Sequence, residues 1–229
     1  MHLWPFLRHL SPLSYLSPLS SCWLCRTQGA DQSGLCSTCY GDLPRRPPRP
    51  IEAGQTASRL WIAALTYQQP VTRWLRDFKF NNYPGLAVHM APLMAAQVIK
   101  VYQHEKVYLP DILVPVPLSD RRWLTRGYNQ SRLLANEMSS LLGIPIQEPL
   151  QRRHTGANHL LNAQERKANL EQAFVWREPL RGKRVAIIDD VITSGATVEA
   201  MAQVLRQTPC VVDAWSLAYT QPPESDESL

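Results

Sequence analysis

The chain has 229 residues, 45% of them hydrophobic, with a formal charge of +5 and a pI near 9.1. That is enough for one sizeable domain plus a small appendage, and the apolar share suits an ordinary globular core. The basic balance favours anionic ligands without singling out nucleic acid, and with no run of eighteen apolar residues no membrane span is expected.

Residues 1–21 contain Leu, Trp, Phe and Tyr, but Pro5, Pro12 and Pro18 interrupt them. A signal peptide needs a continuous apolar centre. The run Leu19-Ser20-Ser21-Cys22 only loosely resembles a lipoprotein cleavage site, so the segment reads as a flexible arm or as an early-assigned start.

Cys22, Cys25, Cys36 and Cys39 follow as C-x2-C, ten residues, C-x2-C. Each pair presents two thiolates to one ion, and two such turns complete a tetrahedral site. Gly29, Asp31, Ser33 and Gly34 between them read as turns. The expectation for residues 22–40 is a structural Zn2+ ribbon; two disulfides are the alternative in an exported chain. Trp23 inside the first knuckle is placed either to pack or to stack on a base. Over 41–58, Pro44, Pro47, Pro48 and Pro50 alternate with Arg45, Arg46 and Arg49, which reads as an extended linker. Its arginines suit nucleic-acid phosphates or simply water.

The body, 59–220, alternates strand and helix signals. Leu60–Tyr67 reads as a strand, and Val71, Trp74, Leu75 and Phe78 mark a helix ending in F-K-F. Leu86–Tyr102 is a second helix. Asp111–Leu118 is a buried strand that stops at Pro115 and Pro117. A loop rich in arginine, with Arg121, Arg122 and Arg126, precedes an amphipathic helix over Leu133–Leu142, and suits either an anion or a solvated charge run. Residues 151–176 read as a mobile loop and then a polar helix from Ala163 to Ala173. Val211–Leu217 is a last strand, with Cys210 at its edge as an ordinary buried thiol. Residues 221–229 form an acidic, disordered tail.

The most specific stretch is V-A-I-I-D-D-V-I-T-S-G-A-T, Val185 to Thr197. An apolar run suited to a buried parallel strand leads into Asp189 and Asp190. Thr193, Ser194, Gly195, Ala196 and Thr197 then make a small hydroxyl-rich loop before a helix carrying Val198, Met201, Ala202 and Leu205. Backbone N–H groups at such a loop suit a phosphate. The carboxylates suit hydroxyls or a metal further along the same ligand, so a sugar phosphate is expected.

This stretch resembles the phosphoribosyl pyrophosphate (PRPP) signature of type I phosphoribosyltransferases. The resemblance implies that Asp189 and Asp190 hold the ribose hydroxyls and act in catalysis, and that Thr193–Thr197 hold the 5-phosphate. With the four cysteines, F-K-F at 78–80, P-V-P-L at 115–118, R-G-Y-N-Q at 126–130 and R-K-A-N-L-E-Q-A-F at 166–174, the chain from Cys22 to Leu217 resembles the ComF/GntX family. That family implies a parallel-sheet α/β phosphoribosyltransferase-like domain behind a small zinc ribbon. It also implies a pyrophosphate loop of Pro117, Leu118, Ser119, Arg121, Arg122 and Arg126, with Mg2+ accompanying PRPP. One departure is that Thr155 is followed by Gly156, Ala157 and Asn158, where the family usually has Gln.

Two functions follow from the resemblance. One is a cytoplasmic PRPP-binding protein of DNA uptake, partnered by single-stranded DNA and a competence helicase-like ATPase. The other is a phosphoribosyltransferase of nucleotide or salvage metabolism with no role in DNA uptake.

Overall fold

The computed structural model describes residues 21–31, 33–52, 54, 56–153 and 173–221, with Asp120, Arg121 and Arg122 described in their backbone alone. The arm up to Ser20, the polar helix expected from Ala163 as far as Gln172, the Thr155–Asn158 departure and the acidic tail from Pro222 onward lie outside the described residues. The chain divides into two compact units, Met1–Asp42 and Leu43–Leu229.

Two tight turns shape the first unit. Arg26 N–H returns to Cys22 O at 2.9 Å, with Arg26 itself at φ 65°. Asp31 Oδ1 accepts from Ser33 N–H at 2.7 Å, an Asx turn that uses a short polar side chain in place of a backbone acceptor. Helix α1, Ser37–Gly41, follows, capped by the Cys36 sulfur.

The second unit is a four-stranded parallel sheet. Its strands are β1 (Trp61–Thr66), β2 (Ile112–Pro115), β5 (Arg184–Ile192) and β6 (Val211–Tyr219), in the spatial order β1-β6-β5-β2. Its helices are α2 (Val71–Phe80), α3 (Ala87–Glu105), α4 (Asp120–Arg126), α5 (Gln130–Leu142) and α6 (Ala196–Leu205). Strands β3 (Leu150–Arg152) and β4 (Phe174–Trp176) form a separate antiparallel ribbon. Parallel strands need covered faces, and their near-continuous apolar runs reflect it. Val185, Ala186, Ile187 and Ile188 are fully buried. α3 and α5 lie on one face of the sheet. Val198, Met201 and Leu205 of α6 join the cluster of Trp61, Val114, Val185 and Ile187 on the other.

One buried carboxylate pins the sheet. Asp213 of β6 accepts from Arg59 Nε at 3.0 Å, from Leu60 N–H at 3.2 Å and from the Tyr102 hydroxyl of α3, which in turn accepts from Trp215 Nε1 at 3.2 Å. A buried charge is tolerated when it is hydrogen-bonded in this way.

Several expectations shift in detail. The stretch expected as a linker over 41–58 bonds along the outer edge of β1: Arg46 N–H donates to Ala64 O, Thr66 N–H to Pro44 O and Ile51 N–H to Trp61 O, at 2.7–3.0 Å. Proline lacks a donor but its carbonyl still accepts, and covering an edge strand satisfies its open hydrogen-bonding groups. β2 takes Pro115 without loss because Val116 N–H, not residue 115, points at Ile188 O of β5 (3.0 Å). The arginine loop contains helix α4. β5 runs on through both aspartates to Ile192, paired with β6 as far as Tyr219. The ribbon β3–β4 was not expected, because three-residue strands carry too little periodicity to read. The stretch Pro84–Glu105 is long and apolar enough to cross a membrane by length and composition alone, but 61% of its most apolar window is buried inside the protein, the pattern of a core helix.

Candidate functional site

In the first unit the sulfurs of Cys22, Cys25, Cys36 and Cys39 all lie within 4.8 Å of one another, and all four are free thiols. Four thiolates at about 2.3 Å from a zinc ion stand about 3.8 Å apart, and the Cys25–Cys36 separation is 3.7 Å. The donor set and its spacing are compatible with structural zinc. The Thr27 hydroxyl, 2.8 Å from the Cys25 sulfur, draws that thiol down to about 6. Burial and the neighbouring cysteines hold Cys39 well above the usual thiol range. Trp23 is half-buried, with the Arg26 guanidinium 5.1 Å over its ring.

The second unit carries a cleft of about 320 Å3 at the C-terminal ends of β2 and β5, where open parallel sheets place ligands. Asp189 and Asp190, at the end of β5, form one wall. Asp189 Oδ1 accepts from the Ser131 hydroxyl of α5 at 3.0 Å and from Asp190 N–H at 2.9 Å. Asp190 Oδ2 pairs with Lys79 Nζ at 3.0 Å, and the side chains of both are largely buried. Burial, reinforced by the charge of Asp190, pushes the Asp189 carboxyl up to about 7; the hydrogen bonds from Asp190 N–H and Ser131 and the Lys79 charge act the other way. Removing water raises the cost of the charged form more than these donors recover.

Thr193 and Thr197 line the same cleft, while Ser194 and Ala196 are exposed on the loop. Gly195 sits at φ 75° and is buried. A Cβ there would lie 1.9 Å from the Trp61 ring, so glycine is required by packing against β1 as well as by conformation.

The opposite wall comes from the segments after β2. Pro117, Leu118 and Arg126 line the cleft, and Ser119 is the N-terminal flank of α4. The side chains of Arg121 and Arg122 lie outside what is described. R-G-Y-N-Q is a junction between helices: Arg126 ends α4, and Gly127 turns the chain at φ 74°. Asn129 then caps α5 while donating to Val116 O at 3.0 Å. Tyr128 donates to Phe78 O, tying this junction to F-K-F.

No family model matches the chain. The DNA utilization protein YhgH of Salmonella typhimurium is 32% identical over 219 residues, covering 87% of this chain and 96% of that protein. Competence protein F of Haemophilus influenzae is 34% identical over 158 residues, 66% of this chain and 69% of that protein. The chain belongs to the ComF/YhgH family. Among solved structures, an adenine phosphoribosyltransferase is 14% identical with a TM-score of 0.35, over 62% of this chain and 82% of that one, a loose superposition.

For this ComF/YhgH chain, the structure brings Asp189, Asp190, Thr193, Thr197, Pro117, Leu118 and Arg126 to one cleft, and the four cysteines to a separate centre. Sequence reading did not single out Lys79, Gln130, Ser131 or Arg152 as cleft residues. Lys79 lies between apolar positions of α2 and looks like an ordinary solvent-facing charge there. Gln130 is 2% exposed, and its Oε1 accepts from Arg126 Nη1 at 3.1 Å. Its Nε2 has no partner among the described residues. A buried amide donor left without a partner costs on the order of 1–3 kcal/mol, so an acceptor arriving in the cleft recovers that amount. Its place in R-G-Y-N-Q was the one available signal.

Proposed function

We propose that this chain is a cytoplasmic PRPP-binding protein of the ComF/YhgH family that serves DNA uptake, alongside single-stranded DNA and a competence helicase-like ATPase. The observation that carries the PRPP side is the convergence of the acid pair, Thr193, Thr197 and Arg126 on one cleft. The DNA side rests on the relatives' names, DNA utilization protein and competence protein F. The head holds Zn2+ through Cys22, Cys25, Cys36 and Cys39 as a structural ion.

In this reading Asp189 and Asp190 accept hydrogen bonds from the ribose hydroxyls. The loop Thr193–Thr197 and the start of α6 take the 5-phosphate. Pro117, Leu118 and Ser119, with Arg121, Arg122 and Arg126, take the pyrophosphate, and Gln130 Nε2 supplies one more donor. Mg2+, when bound with PRPP, supplies positive charge at the pyrophosphate. Asp189 gives up its proton on binding, so affinity rises with pH through about 7. The same groups suit phosphoribosyl transfer, in which Asp189 and Asp190 steady positive charge developing on the ribose.

Calorimetry with PRPP and Mg2+ tests the site. Asp190→Asn is expected to weaken binding by about 1.5–3 kcal/mol, the value of a charged hydrogen bond. Wild-type affinity in that variant overturns the assignment. Pyrophosphate release with a free base, in a cell whose DNA uptake does not need this chain, would favour the salvage enzyme instead.

A further inference from the structure

We propose that a single-stranded oligonucleotide lies along a groove crossing the mouth of the central cleft, and that this strand and PRPP exclude one another. The exclusion rests on the PRPP reading of that cleft; the strand track does not.

The central cleft shares lining residues with a hollow on each side. Toward α2 it shares Lys79 and Arg126 with a hollow of about 510 Å3, whose wall includes Phe80. Toward the ribbon it shares Pro117, Leu118 and Arg152 with a hollow of about 630 Å3, lined also by Trp123, Arg153 and Arg177. Each outer hollow thus combines cations with one large ring. Phe80 is 66% exposed and Trp123 53% exposed. The Arg126 guanidinium lies 5.0 Å over Phe80.

Single exposed aromatics need no explanation. Two of them, one at each end of a basic groove, match the physics of strand binding. Bases stack on flat faces, guanidinium and ammonium groups track the backbone, and unpaired bases are needed to reach the rings. Asp190 offsets Lys79, so the cations this track relies on are the arginines. Glu148 in the ribbon hollow pairs with Arg132 at 2.9 Å, and Asp190 pairs with Lys79. Among the described lining residues the carboxylates are Asp189 and Asp190 in the central cleft and Glu148 in the ribbon hollow, so strand phosphates are held at the two outer hollows and the strand spans the centre. A ligand seated in the centre meets Arg126 and Arg152, the groups the strand uses on either side. Two polyanions competing for the same cations displace one another.

The experiment uses the full chain and a fluorescein-labelled oligo-dT, read by anisotropy at about 50 mM salt and above. Arg153→Gln with Arg177→Gln is expected to weaken binding about tenfold and to lower the salt slope by about 1.4, near 0.7 per phosphate contact. Trp123→Ala is expected to weaken it about fivefold to a hundredfold with the slope unchanged. Both variants should keep wild-type PRPP affinity by calorimetry, which also shows that they fold. Saturating PRPP with Mg2+ should raise the apparent Kd for oligo-dT at least tenfold.

Wild-type oligo-dT affinity in both variants, or no binding at low salt, overturns the track. PRPP that binds without displacing oligo-dT overturns the exclusion and leaves the PRPP reading standing. Groove-dependent oligo-dT binding with no PRPP binding supports the track and overturns both the exclusion and the PRPP reading.

Discussion

In the head, all four candidate ligand atoms come from one short run of chain, Cys22 to Cys39, shaped by a tight turn and the start of α1, with Leu24 and Leu35 as its buried leucines among the described residues. In the cleft, the lining comes from Tyr67, Lys79, the segment after β2, α5, β3 and the end of β5, held by a parallel sheet whose central strands are buried. The first site is a compact set of thiols compatible with structural zinc, whereas the second is shaped by the sheet and its helices. A local site is cheap to encode but needs binding energy to form; a distributed site needs a core, and then holds charged groups against their preference for water.

The largest expected effect separates the two regions. Removing zinc, or Cys36→Ser, should abolish order in the head, because metal binding by a small thiolate domain contributes on the order of 10 kcal/mol to its folding. Hydrogen exchange should show fast exchange confined to the first unit, with the second unit's melting unchanged. Elemental analysis should find about one zinc per wild-type chain, and a zinc-free, fully protected head would break the comparison.

Next is Gly195→Val. The new side chain collides with the Trp61 ring at a positive φ, so a stability loss of about 2–5 kcal/mol is expected in thermal melts. Melting equal to wild type would show that the loop relaxes away from β1 freely.

Asp189→Asn sharpens the claim that the cleft stores electrostatic cost. A carboxyl raised to about 7 leaves the folded protein holding more protons than the unfolded chain between about pH 4 and 7. Its contribution is therefore favourable below that window and is lost as pH rises through about 7. The amide removes the charge and keeps the acceptor for Ser131 and Asp190 N–H. The variant should gain about 1–3 kcal/mol over wild type at pH 8.5 and nothing at pH 4. A gain independent of pH would mean that Asp189 is not held protonated.

The smallest effect is expected from Arg45→Gln, Arg46→Gln and Arg49→Gln together. Arg46 lies 5.1 Å over the Tyr219 ring, and its backbone is bonded to β1. Oligo-dT affinity should change by less than about threefold, against the tenfold expected for the groove arginines, and a larger loss in anisotropy titrations would move the strand to this edge.

The sequence by itself determined the local chemistry: the thiolate spacing, the apolar run of β5, the adjacent aspartates and the hydroxyl loop with its glycine. Each of these lies within a few residues of chain, where side-chain type and period carry the information. Tertiary structure alone decided which distant groups meet them. Nothing around Lys79 in α2 says that it faces Asp190, and nothing at Ser131 says that it bonds Asp189; only the stacking of α2 and α5 against the end of β5 brings them there. Gly195 makes the same point, since its loop suggested phosphate approach while its contact is the Trp61 ring from the far edge of the sheet. The titration of Asp189 belongs to the same class, because a carboxyl is displaced by the water it loses and by the charge beside it, and both are set by packing.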